Sequence, residues 1–282
     1  GPRDIDFKAL YPDRTIQFTQ MRFWDEGAVG APGASDVHVR FLEEEHGRGV
    51  RGVKFHKNFG FTIRDTSGNL LRLDDPRLEP LWKKCAELRM PVLMHTADPA
   101  PFGMPIDRFN ERFEELRAYP KWSVYGPAFP KREDLFAQRE ALLRNHPDTV
   151  FIGAHFGCNY EDLAYLGRLL DAHPNFYVDT AAVMNELGRQ PYRARKFIIK
   201  YQDRILFGTD GGWGLGTGIW TPEKLYQTNF EFFETENEYF DYQLRDIYNA
   251  GRWKVYGLNL PDDVLEKLYH RNAEKIFGIV LD

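Results

Sequence analysis

The stretch PVLMHTAD, residues 91–98, carries the fold in miniature: a short, continuous apolar run that closes on an ionisable residue, His95. Other segments share the form: RTIQFTQM (14–21), GVKFH (52–56), VFIGAH (150–155), NFYVDT (175–180) and RILFGTD (204–210). Runs that are apolar at nearly every position suit strands buried on both faces of a parallel sheet. The stretches between them read as helices. Asp75 and Pro76 open one, Asp75 as N-cap and Pro76 at the first helical position. Leu78, Leu81, Trp82, Cys85 and Leu88 then recur at helical spacing until Met90-Pro91 stops it. Further helices are expected over 132–145, 161–172 and 261–277, ended by His146-Pro147, His173-Pro174 and Gly278. Residues 234–243, ETENEYFDYQ, read as a helix with a solvated acidic face. Asp65, Ser67 and Gly68 read as a turn.

Alternating strands and helices imply parallel βαβ units. An open doubly wound sheet and a closed barrel both fit that pattern. No GxGxxG or GxxxxGK[ST] follows a strand, which removes the usual nucleotide-binding signal of the open sheet. Ionisable residues end several different strands instead, as in a TIM-type (β/α)8 barrel, which is the expected fold. Six strands fall short of the eight a closed barrel needs. The C-terminal end carries a closing helix, so the first two strands are expected to be missing ahead of residue 14. The whole chain, 1–282, reads as one such barrel domain, incomplete at its N-terminus.

At 282 residues and 43% hydrophobic, the chain can bury a large core, while a mean hydropathy of −0.52 leaves a polar surface. Thirty-seven basic against forty-two acidic residues, a net charge of −5, speaks against a general nucleic-acid binder. No apolar run approaches the ~20 residues of a membrane-spanning helix. The start, GPRDIDFKAL, lacks both the basic start and the apolar stretch of a signal peptide. The two cysteines, Cys85 and Cys158, form no CxxC pair. A cytoplasmic protein with a small-molecule substrate and no nucleic-acid or membrane partner is expected. Two unpaired sheet edges would invite a second copy, hence a homo-oligomer.

His95, His155 and Asp210 end three strands. Two imidazoles and a carboxylate are donors that zinc prefers, with positions left open for water and substrate. A lone histidine after an apolar strand is more often a hydrogen-bonded core residue; three such residues at the ends of three strands of one barrel reverse that preference. Lys54 and His56 lie two apart on a strand and face the same side. Residues 211–220, GGWGLGTGIW, read as a loop over the mouth, with Trp213 and Trp220 available to cover an organic substrate. Asp98 follows His95 closely enough to line the same pocket. His46, His146, His173 and His270 read as helix-end or surface residues, and Cys158, without a basic partner, as an idle thiol.

From residue 53 to 277 the chain resembles the amidohydrolase superfamily, in its branch of amidohydrolase-related hydrolases and decarboxylases. GVKFHKN resembles that family's fourth-strand motif with its lysine, and DDPRLEPLWKKCAELRMPVLMHT the approach to its fifth-strand histidine. VFIGAHFG resembles the sixth-strand histidine motif, NFYVDTAA the seventh strand, and RILFGTD the eighth-strand aspartate motif. LPDDVLEKLYHRNAEKIFGI resembles the closing helix, which makes RTIQFTQM the third strand. One departure matters: the family's His-x-His pair on the first strand has no counterpart. DVHVR, residues 36–40, has a single histidine and follows the third strand, so it cannot stand in.

The resemblance implies a divalent metal, zinc before others. It makes His95 a ligand, Asp210 a ligand or proton acceptor, and His155 either a ligand of a second ion or a carrier of charge and protons. Lys54 becomes a clamp for a substrate carboxylate or, if carboxylated, a metal bridge; an inward lysine paired with a carboxylate is an equal alternative. Lys54, His56 and Trp213 are the expected substrate-binding residues. The implied activity is hydrolysis of a C–N or C–O bond in a small organic molecule by metal-activated water. Non-oxidative decarboxylation suits the same scaffold. Schiff-base chemistry at Lys54 is a second enzyme class. A degenerate barrel that binds without turnover is a third reading, favoured by the missing His-x-His pair.

Overall fold

The computed structural model describes residues 7–211, 221–242 and 250–280. All six expected strands form: β1 Phe18–Gln20, β2 Gly52–Phe55, β3 Val92–Met94, β4 Phe151–Gly153, β5 Phe176–Asp179 and β6 Ile205–Leu206. They make one parallel sheet in the order β1-β2-β3-β4-β5-β6. Strictly sequential order is the winding of a TIM-type barrel, whereas a doubly wound sheet reverses order at a switch point. The principal helices are α1 Ala34–Gly47, α2 Glu79–Glu87, α3 Arg132–Asn145, α4 Leu163–Ala172, α5 Pro191–Lys200 and α6 Pro222–Glu234. No helix among the described residues is long and apolar enough to cross a membrane.

Two compact units divide the chain, one from Gly1–Ala97, Phe129–Gly153 and Ala172–Tyr177, the other from Asp98–Ala128, Ala154–Asp171 and Val178–Asp282. In the first unit, alternation along β2 and β3 puts Val53, Phe55, Val92 and Met94 on a fully buried face. Trp82 of α2 fills the space above them, its ring centroid 5.0 Å from Phe55 and 6.0 Å from Phe151. The expected start of this helix is present. Asp75 accepts the Arg77 main-chain N–H at 2.9 Å, and Pro76 opens a 3-10 turn that runs into α2. Asp65 closes its turn by accepting from the N–H groups of Ser67 and Asn69. Asn175, just before β5, ties down the end of α3 by donating to the carbonyls of Leu143, His146 and Thr149.

DVHVR lies within α1, where His38 is a buried core residue with Nε2 2.8 Å from the Gly27 carbonyl. His173 directly follows α4, a helix-end position as expected, and it is buried there, which holds its imidazole below the usual range.

The second unit is organised around a buried ionic network. Arg112 reaches Glu115 at 2.6 Å and Glu186 at 3.0 Å, and Glu186 also accepts from Asn185 and Arg189. The Trp253 indole donates to the Asn185 carbonyl at 2.8 Å, while Arg189 lies over the Trp253 ring. The closing helix forms in three parts: Asp262–Glu266, a π-helical turn Lys267–Arg271, and Asn272–Phe277, with Gly278 in the left-handed region after it. Asn272 anchors β6 by donating to the carbonyls of Gln202 and Ile205.

The expected helix over 234–243 does not form in its described part. Helix α6 ends at Glu234, and Thr235 turns extended. The Thr235 hydroxyl donates to Glu231 O at 2.8 Å and accepts the Asn237 N–H at 3.2 Å, so a side chain offers the backbone an alternative to the next helical turn. Phe240 then makes an antiparallel bridge with Val255.

Candidate active site

Each predicted residue among those described lies on a strand or shortly past its end. In the first unit, Lys54 is half-buried on the face of β2 opposite Val53 and Phe55, in register with Gln20 and Leu93. His56 follows the strand and is exposed; His95, half-buried, continues the ladder past β3 by donating its N–H to Phe55 O at 3.0 Å. Their rings come together, centroids 5.8 Å apart and tilted by 59°. Beyond His95 the chain tightens. Thr96 is buried with a hydroxyl that makes no hydrogen bond to any described residue, and Ala97 adopts φ +66°. An unpartnered buried hydroxyl costs about 1–3 kcal/mol, and nothing in the PVLMHTAD run singles Thr96 out as such a group.

In the second unit the turn that follows β4 takes a conformation that the apolar run does not announce. His155, Phe156, Gly157 and Cys158 all have positive φ, at 56°, 55°, 59° and 54°. They form one left-handed helical turn, closed by Cys158 N–H to His155 O at 2.8 Å. Left-handed conformation costs a non-glycine residue about 1–2 kcal/mol, so three such residues in one turn must be held from outside. Asp179, at the end of β5, does much of the holding. Its Oδ1 accepts the His155 N–H at 2.8 Å and the Ala181 N–H at 3.1 Å.

The His155 ring is fixed from the same place, with Nδ1 2.8 Å from the Ala181 carbonyl. A carbonyl only accepts, so Nδ1 carries the hydrogen and the neutral ring presents its lone pair at Nε2. That tautomer can accept a proton or ligate a metal through Nε2.

Asp210 follows β6 and is exposed, with φ +54°. Its neighbour Gly211 donates to the Thr209 hydroxyl at 3.1 Å. Cys158 is buried, as expected of an idle thiol. Trp213 and Trp220 lie outside the described residues. Among the described residues no group of three or more His, Cys, Asp or Glu side chains is placed to hold a metal ion. The locked His155 suits a ligand, but the described residues do not make up a metal centre.

These features define a parallel α/β protein of the TIM-barrel class with ionisable side chains at its strand ends. Residues 16–279 match the family described as Amidohydrolase, and the chain belongs to that family. No curated protein matches the sequence. Among solved structures, an uncharacterised TIM-barrel protein from Bordetella bronchiseptica is similar at a TM-score of 0.57 and 19% identity, over 96% of this chain and 69% of that one. A 2,6-dihydroxybenzoate decarboxylase from Rhizobium is similar at 0.55 and 18%, over 96% and 73%. A dihydroxybenzoic acid decarboxylase from Polaromonas, with bound manganese and 2-nitroresorcinol, is similar at 0.56 and 17%, over 96% and 71%. Identities this low establish the shared fold.

Proposed function

We propose that this chain acts as a hydrolase of the amidohydrolase type on a small organic molecule, at the carboxyl ends of its strands. The observation that supports this best is His155, whose ring is held in the tautomer that accepts a proton at Nε2. Water adds across a C–N or C–O bond: His155 Nε2 takes a proton from the attacking water and later returns it to the leaving nitrogen or oxygen. Asp210 is the second acid–base group, exposed and able to exchange protons with solvent. Lys54 and His56, with Trp213, are the candidates for binding the substrate on the strength of the sequence, Lys54 for an anionic group on it. His95, His155 and Asp210 are also the donor types of a zinc or other divalent ion, which would supply a more acidic bound water. With or without such an ion, the part of this chain's own residues is to hold and move the protons at His155 and Asp210.

Lys54 favours a second reading as well. A cation on the half-buried face of β2 suits a substrate carboxylate. Non-oxidative decarboxylation would use the same histidine, once it has taken a proton from solvent at Nε2, to deliver that proton to the ring carbon as its bond to the carboxylate breaks and carbon dioxide leaves. Assay of purified protein against amides, lactones and hydroxybenzoates, with and without added zinc or manganese, separates the readings. Acid release identifies the hydrolase and carbon dioxide release the decarboxylase. Saturable binding without turnover of any of them would defeat both and leave a ligand-binding barrel. Borohydride trapping of a carbonyl substrate on Lys54 would point to Schiff-base chemistry.

A further inference from the structure

We infer that Asp179 and Thr180, adjacent at the end of β5, are positioning residues that set His155 on one side and the approach to Asp210 on the other. The inference rests on the proposed function only for the chemical roles of His155 and Asp210. Asp179 is buried and carries a carboxylate oxygen against two main-chain donors, His155 N at 2.8 Å and Ala181 N at 3.1 Å. The second of these bonds turns the chain so that the Ala181 carbonyl meets His155 Nδ1 at 2.8 Å. One residue thus holds the backbone of His155 directly and its ring through Ala181.

Thr180 works toward the other neighbour. Its N–H donates to Leu206 O at 3.0 Å, extending the β5–β6 ladder. Its hydroxyl then does two things at once: it donates to Gly208 O at 3.2 Å and accepts the Gly208 N–H at 3.0 Å. Gly208 lies two residues before Asp210 and runs close against Ala181, where an added Cβ would sit 3.3 Å from the Ala181 Cβ. The three consecutive residues Asp179, Thr180 and Ala181 therefore clasp the chain on both sides, although none of them is one of the proposed acid–base groups. Asparagine at 179 keeps an acceptor oxygen and leucine does not. Serine at 180 keeps the hydroxyl and valine keeps only the shape.

The test is long-range proton–nitrogen correlation of the histidine side chains in labelled protein at about pH 8, above the ordinary imidazole range. The His155 signals are assigned by their loss in His155→Gln. The native protein should show His155 protonated at Nδ1 alone. Asp179→Asn should keep that pattern, and Asp179→Leu should give mixed tautomers with an unchanged far-ultraviolet spectrum. Thr180→Val should keep the tautomer but move the main-chain amide signals of Gly208 and Asp210, and Thr180→Ser should restore them.

A single Nδ1–H tautomer surviving in Asp179→Leu, or unmoved Gly208 and Asp210 amides in Thr180→Val, would overturn the inference. If Asp179→Leu fails to fold, the valine and serine variants at 180 decide alone. Where turnover is measurable it should fall about 10- to 100-fold in Asp179→Leu, as for removal of a group that orients a functional side chain. Undiminished turnover beside a lost tautomer would also overturn it. A native protein with the expected tautomer and no hydrolytic turnover would instead sink the functional reading and leave the clasp in place.

Discussion

Arg112 and Glu186, 74 residues apart in the chain, meet at 3.0 Å with both side chains buried. Arg112 is the cation of this network that is itself buried, and it faces two buried carboxylates, Glu115 and Glu186. Removing it takes the buried cation from Glu115 and leaves Glu186 with Asn185 and Arg189. Breaking a buried pair from one side costs about 3–5 kcal/mol, most of it the desolvation of the charge left behind. Arg112→Met should lose that much unfolding free energy in urea. Adding Glu115→Gln and Glu186→Gln to the same chain should recover part of it. A loss below about 1 kcal/mol in the single variant would mean that water reaches the two carboxylates.

Asp75 gives a pH dependence with a definite sign. The Arg77 guanidinium, bonded to it at 2.7 Å, holds its carboxyl below the usual carboxylate range, helped by the Arg77 N–H. A carboxyl depressed by folding stabilises the native state above its unfolded value of about 3.9, and that stabilisation is lost as pH falls through the lower folded value. Urea midpoints measured from pH 6 down to pH 2 should therefore converge for the native protein and Asp75→Asn at the acid end. A gap that stays constant with pH would show that the cap acts by shape alone.

The proposed acid–base pair makes a kinetic prediction. His155→Asn and Asp210→Asn should each bind substrate within a few-fold of the native protein while turnover falls about 10²- to 10⁴-fold. Metal analysis accompanies both, because loss of a bound ion in the His155 variant would add ligation to its role. Near-native turnover in Asp210→Asn would remove that residue from the mechanism.

Both thiols should be silent in the native state. Cys85 and Cys158 are buried, and burial pushes the Cys85 thiol up to about 12. A chromogenic disulfide reagent at pH 8 should titrate no thiol in buffer and both in concentrated urea. Rapid reaction of one thiol in buffer would reveal local opening around that residue.

The strands were legible because their signal is compositional. VLM, FIG and FYVD are apolar enough to be strands wherever they pair, and the ionisable residues that close such runs point to the barrel winding. Asp75-Pro76 and Gly278 were legible because capping is local chemistry. What was hidden depends on contacts distant in sequence. The acidic composition of 234–243 suggested a helix, but the Thr235 hydroxyl bonds back to Glu231 and forward to Asn237, and the chain leaves the helix there. Nothing in AHFGC marks four left-handed residues, since only Gly157 is built for that conformation and the turn is supported by Asp179 on the next strand. Asp179 itself is inconspicuous within NFYVDT, because a carboxylate that serves main-chain N–H groups looks like any polar residue closing a strand.

The left-handed turn has a consequence for descent. Phe156 and Cys158 hold a conformation that most substitutions there would neither improve nor tolerate, so selection on 155–158 acts through whatever sits at 179. In related sequences the two places should vary together. A lineage that replaces Asp179 with an apolar residue should also show glycine at 156 or 158, or no histidine at 155 at all.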